Sequence, residues 1–135
     1  RQIISKTYKS LSLRIFLKFM DLQEYIFKLK NLPENVSFED TVFIIDKYYI
    51  FKPTEFKNAE ILNNINENNG SCKIFAFGLL NKLNESEVLH CFGDYYRKDV
   101  LMDPFGVNHQ NIRSFIKNGW SAIQFEKEAL SLKIS

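Results

Sequence analysis

The chain has 135 residues, 45% of them hydrophobic and 15% aromatic with 13 Phe, enough for one domain whose core is built of large rings. Its two cysteines, Cys72 and Cys91, form neither a disulfide framework nor a C-x-x-C motif, which points to a reducing, cytoplasmic setting; with two His they match no zinc-finger spacing. The formal net charge of +2 hides an asymmetry: residues 1–19 carry five basic residues and no acid, and the remainder has 13 basic against 16 acidic residues, which argues against nucleic acid as a partner.

Residues 1–19 read as a basic leader. Ile4, Tyr8, Leu11, Ile15 and Phe19 can line one helical face, yet Ser12, Arg14 and Lys18 interrupt any signal-peptide core. No run is long enough to span a bilayer. Met20 stands at the composition break, and the expectation is that the leader is an extension outside the native protein; the competing readings are a targeting segment and an ordinary packed helix.

From Asp21 the helical period begins. Leu22, Tyr25, Ile26 and Leu29 give an apolar side, with Glu24 three residues after Asp21, and Pro33 ends the element. Ser37 caps the next helix with Asp40 in its first turn; Phe38, Val42, Ile45 and Tyr49 give its face, and it stops before Pro53. Between Phe51 and Asn63 the period fades, so one extended piece is expected around 55–57, then a long polar loop to Gly70. Asn69-Gly70 reads as a tight turn and Ser71 as the N-cap of a central helix with Cys72, Phe75, Ala76, Leu79, Leu80 and Leu83 on its apolar face. Phe77 falls off that stripe, so this helix is expected to be apolar on most sides and central to the core.

Asn84 and Glu87 make another capping box, and Val88, Leu89, Phe92, Tyr95 and Tyr96 follow at helical spacing. Residues 103–106 form a turn, Asn108 caps a last helix, Asn118-Gly119 stops it, and a short strand is expected within 121–126.

Two places carry candidate chemistry. Cys72, in a first helical turn beside Lys73, is either a nucleophilic thiol favoured by the helix dipole or a small buried core residue. His109 and Arg113, four apart, share a helix face: His109 moves a proton near neutral pH and Arg113 grips a carboxylate or phosphate, or both serve local structure. With Asp94, Asp99 or Asp103 as orienter, Cys72 and His109 would complete a nucleophile–base set. No Gly-rich phosphate loop, G-x-S-x-G elbow or His-Glu-x-x-His occurs, so no cofactor and no metal is expected.

Several ordered blocks resemble the HopJ type III effector family: Ser37-Phe38-Glu39-Asp40-Thr41, Pro53-Thr54-Glu55-Phe56-Lys57-Asn58, Gly70-Ser71-Cys72-Lys73 with Phe75-Ala76-Phe77, Phe92-Gly93-Asp94-Tyr95-Tyr96-Arg97, His109-Gln110-Asn111-Ile112-Arg113, Gly119-Trp120 and Phe125-Glu126. The resemblance runs from about Asp21 to Leu130 and implies a short single-domain bacterial protein beginning near Met20, delivered into a host cell by type III secretion and related to virulence. It implies no catalytic residues.

The expected fold is mainly α, with a small α+β arrangement as the alternative: a single domain over residues 20–135 of about five helices and one or two short strands. The leading functional reading is a binding module for an anionic small ligand or a host protein, with Asn58, Ser71, Lys73, Arg97, His109, Asn111 and Arg113 as the polar site. The competing readings are a small hydrolase or acyl transferase using Cys72 and His109, and a structural interaction protein with Trp120 on its partner surface.

Overall fold

The computed structural model describes residues 21–134, and the leader 1–19 lies outside them. Helix α1 covers residues 21–31 and turns its Leu22, Tyr25 and Leu29 inward. It ends before the 3-10 turn Pro33–Asn35, where the fixed φ of proline starts the turn.

Helix α2, Phe38–Tyr48, begins in a full capping box: Ser37 accepts from the Asp40 amide and Asp40 from that of Ser37. Its buried face is Thr41, Ile44, Ile45 and Tyr48, so the inward stripe is rotated from the expected one and leaves Phe43 exposed. The reason is Thr41, whose hydroxyl pairs with Tyr25 Oη of α1 and donates to the Cys91 carbonyl at 2.8 Å. That polar tie turns the helix.

Strand β1, Tyr49–Phe51, follows without a break. β2, Phe56–Asn58, and β3, Ile61–Asn63, form an antiparallel hairpin where the sequence predicts one extended piece and a long loop. Asn58 and Asn63 point inward from it, and inward Asn disguises a strand as a polar loop.

Helix α3, Asn69–Leu80, starts three residues earlier than predicted. Asn68, not Ser71, is its N-cap residue, and Asn69-Gly70 is helical rather than a tight turn. Ile74, Phe75 and Phe77 are fully buried, whereas Leu79 and Leu80, on the other side of the last turn, are 49% and 54% exposed. Phe75 meets the rings of Phe56, Phe92, Phe115 and Trp120 at centroid distances of 5.0–6.3 Å, and Phe77 meets Tyr25 and Tyr49. The helix is the axis of the core.

Helix α4, Glu85–Cys91, starts at the expected Asn84/Glu87 capping box. It does not continue through Tyr96: Gly93 takes φ +61° where its Cα lies against the Phe38 amide, leaving no room for a side chain. The chain resumes as a π-helix, Tyr95–Val100. Helix α5, Gln110–Asn118, has His109 rather than Asn108 as N-cap and ends at Gly119 as predicted. After the 3-10 turn Trp120–Ala122 come β4, Ile123–Phe125, and β5, Leu130–Leu132.

The strands form two antiparallel sheets, β1–β5 and β3–β2–β4, with Tyr49 opposite Leu132 and Phe56 opposite both Asn63 and Phe125. The described residues therefore make one α-rich α+β domain of five α-helices, one π-helix and five short strands.

Candidate functional site

The hairpin brings three buried asparagines, Asn58, Asn63 and Asn111, to one place beneath the first turns of α3 and α5. Asn58 Nδ2 donates to the Asn111 carbonyl at 2.8 Å, and Asn58 Oδ1 accepts from Ser114 Oγ at 2.9 Å. Asn63 Oδ1 accepts from Asn111 Nδ2 at 2.9 Å and from Asn68 Nδ2 at 2.7 Å, while Asn63 Nδ2 donates to Asn111 Oδ1 at 3.2 Å. An unpaired buried amide is costly, so a closed network of this kind fixes one geometry. The geometry it fixes is the approach of two helix N-termini.

Both N-termini lack side-chain caps, and for the same reason. Asn68 and His109 adopt left-handed backbone, φ 54° and 51°, and their side chains are drawn elsewhere: Asn68 to Asn63, His109 Nε2 to Asp99 Oδ2 at 3.1 Å. Among the described residues, the first-turn amides of residues 69–71 and of residues 110–111 find no acceptor. Such amides, with the helix dipole behind them, favour an anion.

Between them lies a cleft of about 450 Å³. Its polar lining is Asn68, Ser71, His109, Gln110 and Asn111, and its walls are the rings of Phe38, Phe92 and Tyr95 with Ile61 and Ile112. Tyr95 is fixed edge-on to Phe38 at 5.1 Å and lies tilted against the His109 ring at 5.0 Å. The wide turn of the π-helix puts Tyr95 and Asp99 on the same side, so one holds the imidazole face and the other its Nε2.

Of the residues singled out in the sequence, Ser71, His109 and Asn111 meet in this cleft, with Asn58 supporting Asn111 from beneath. The others are placed apart. Cys72 points into the core, its thiol donating to the Thr54 carbonyl at 3.9 Å, and burial pushes its pKa up. Lys73 pairs with Asp46 at 2.9 Å and lies over the Phe51 ring. Arg97 donates to the Pro33 and Val36 carbonyls and to His90 Nδ1, lashing α4 to the 3-10 turn. Burial and this neighbouring guanidinium together hold His90 below its ordinary value of 6.5.

Arg113 donates to the Asn108 carbonyl and Oδ1 and to the Asp103 carbonyl at 2.6–2.8 Å, clamping the loop that leads into His109. Trp120 is half-buried, donates to the Leu83 carbonyl and packs on Phe115. Among the described residues no three His, Cys, Asp or Glu side chains gather as a metal site, and no helix is long and apolar enough to cross a membrane.

Sequence reasoning missed Asn63 and Asn68, and it offered Asp99 only as one of three possible orienters for His109 and Tyr95 only as part of a helical face. The polar run 63–69 reads as a loop, and only the inward face of a hairpin gives its asparagines partners. The signal that was present is the density of Asn itself, at positions 58, 63, 68 and 111.

An α-rich α+β domain with one mixed polar and aromatic cleft at two helix N-termini is the class that fold and site define. The family model for HopJ type III effector proteins matches residues 22–130, and the chain belongs to that family. It is also similar to VPA0580, a protein described as of unknown function whose crystal structure is solved: the two are 51% identical with a TM-score of 0.82, over 83% of this chain and 93% of that one. A comparison with curated proteins gave no match.

Proposed function

We propose that this HopJ-family chain is a binding module for a small molecule carrying an anionic group and an apolar or planar body. The observation that supports it is the cleft, in which uncapped first-turn amides of α3 and α5 stand opposite aromatic walls. A carboxylate or phosphate accepts from those amides and from Ser71, while the body of the ligand lies along Phe38, Phe92 and Tyr95. Ser71, His109 and Asn111 face the ligand in this reading. Asn58, Arg97 and Arg113 hold the walls in place, and Lys73 holds α3 to α2. The family's description as a type III effector is what supports work inside a host cell after delivery from a bacterial cytoplasm.

A ligand that binds only the native state raises apparent stability, by about 2.7 kcal/mol at 100 times its Kd. The test is thermal unfolding against a series of carboxylates and phosphates, with and without aromatic groups. Aromatic anions are expected to raise the melting temperature in a saturable way. A flat response across the series would remove the reading.

A further inference from the structure

Two side chains that line the cleft, with a carboxylate bonded to one of them, form an arrangement that binding alone does not require. Ser71 is the third residue of α3, lines the cleft, and its hydroxyl makes no hydrogen bond among the described residues. His109 lines the same cleft from the opposite helix. Its Nε2 is held by the Asp99 carboxylate at 3.1 Å and its ring face by Tyr95. With Nε2–H donating to Asp99, the neutral ring keeps Nδ1 as a base, and the first-turn amides of α3 and α5 are donors for a developing negative charge.

We propose that Ser71, His109 and Asp99 form a nucleophile, base and orienter, and that the cleft cleaves an ester of a small apolar or aromatic acid. In the first step Ser71 Oγ bonds to the carbonyl carbon as its proton passes to His109 Nδ1, and the carbonyl oxygen takes the negative charge towards the helix amides. The ester C–O bond then breaks, and the leaving alcohol carries off the proton from His109. Water, deprotonated by His109, attacks the acyl-Ser71, and release of the acid restores the free hydroxyl. The sum is ester and water to acid and alcohol, with no further reactant. Asp99 is the positioning residue. It fixes the tautomer and offsets the charge of the imidazolium that forms at each proton transfer. Cys72, the neighbouring residue, is directed into the core and takes no part.

This inference rests on the cleft being the ligand site, and the test separates the two. The folded chain is treated with a fluorophosphonate probe, which phosphonylates an activated serine, and the modified residue is found by peptide mass spectrometry. The same preparation is titrated with inorganic phosphate and benzoate by thermal shift. Ser71 is expected to carry the label, and labelling is expected to slow about 100-fold in His109→Asn and Asp99→Asn, the size of a lost general base. Asn accepts the left-handed backbone of residue 109, so that variant keeps the fold. Catalysis of p-nitrophenyl butyrate hydrolysis should fall in parallel. An unlabelled Ser71 in a protein that benzoate still stabilises overturns the inference and leaves the binding reading standing. Labelling at the same rate in both variants overturns it as well. No label and no stabilisation sinks both readings.

Discussion

The Asn63 side chain accepts from residues on either side of the cleft, Asn68 before α3 and Asn111 in α5, and so sets the distance between the two helix ends. Asn63→Ala strands both donors. A buried polar group left without its partner costs about 1–3 kcal/mol, and we expect a loss of that size in urea unfolding, with anion binding weakened as well. A variant as stable as the parent would show that the network is incidental. His90 makes a different prediction. Its folded pKa lies below 6.5, because burial and then Arg97 disfavour the imidazolium. Its contribution to stability is therefore complete above pH 6.5 and declines as pH falls through that value to the lower folded one. Comparing urea midpoints at about pH 7.5 and 5.5 should show this loss, and His90→Asn, which keeps an acceptor for Arg97 without the titration, should reduce it.

At the scale of the element, two helices open with reciprocal caps, and each puts a carboxylate in the first turn. Burial of Asp40 and Glu87 opposes their ionisation, but the amides of Ser37 and Asn84, aided by Lys28 and Lys30, outweigh it and hold both below their ordinary values of 3.8 and 4.5. The stability they add is present above pH 4.5 and is lost as pH falls below those values towards the folded ones. Asn84→Ala, which opens the α4 box, is expected to cost about 1 kcal/mol in chemical denaturation. Gly78 shows how closely α3 packs: a Cβ there would stand 2.5 Å from Val88 and 2.8 Å from Trp120. These two caps were legible in the sequence because each is complete within four residues, whereas the caps read at Ser71 and Asn108 give way to Asn68 and His109. Their partners across the fold were not legible. Leu79 and Leu80 fit a helical stripe as well as Ile74 and Phe77 do, and only the arrangement of α1, α2, α4 and α5 around α3 decides which are covered.

Across the whole molecule, α3 does two things at once. Its middle anchors the rings of the core through Phe75 and Phe77, and its first turn forms one wall of the cleft. Phe75→Ala removes a ring that touches four others and is expected to cost about 3–5 kcal/mol, read as a lower denaturant midpoint. Cys72 belongs to the core half of that division. Burial raises its pKa and covers the thiol, so alkylation at neutral pH should stay silent until the protein unfolds; a fast rate in the folded state would contradict its placement. A helix-rich domain and its aromatic core were readable from periodicity and local motifs. The β2–β3 hairpin is local but its inward asparagines mask it as a polar loop, and the pairing of β2 with β4, which completes the scaffold, joins residues far apart in the chain.

The measurement that tests the account most directly is a titration of the isotopically labelled chain with benzoate and with inorganic phosphate, followed by amide chemical shifts. Saturable shifts confined to residues 69–71 and 110–111 are the predicted result, since those amides face the cleft without partners. Shifts that do not saturate, or that centre on Lys73, Arg97 and Arg113, would contradict it.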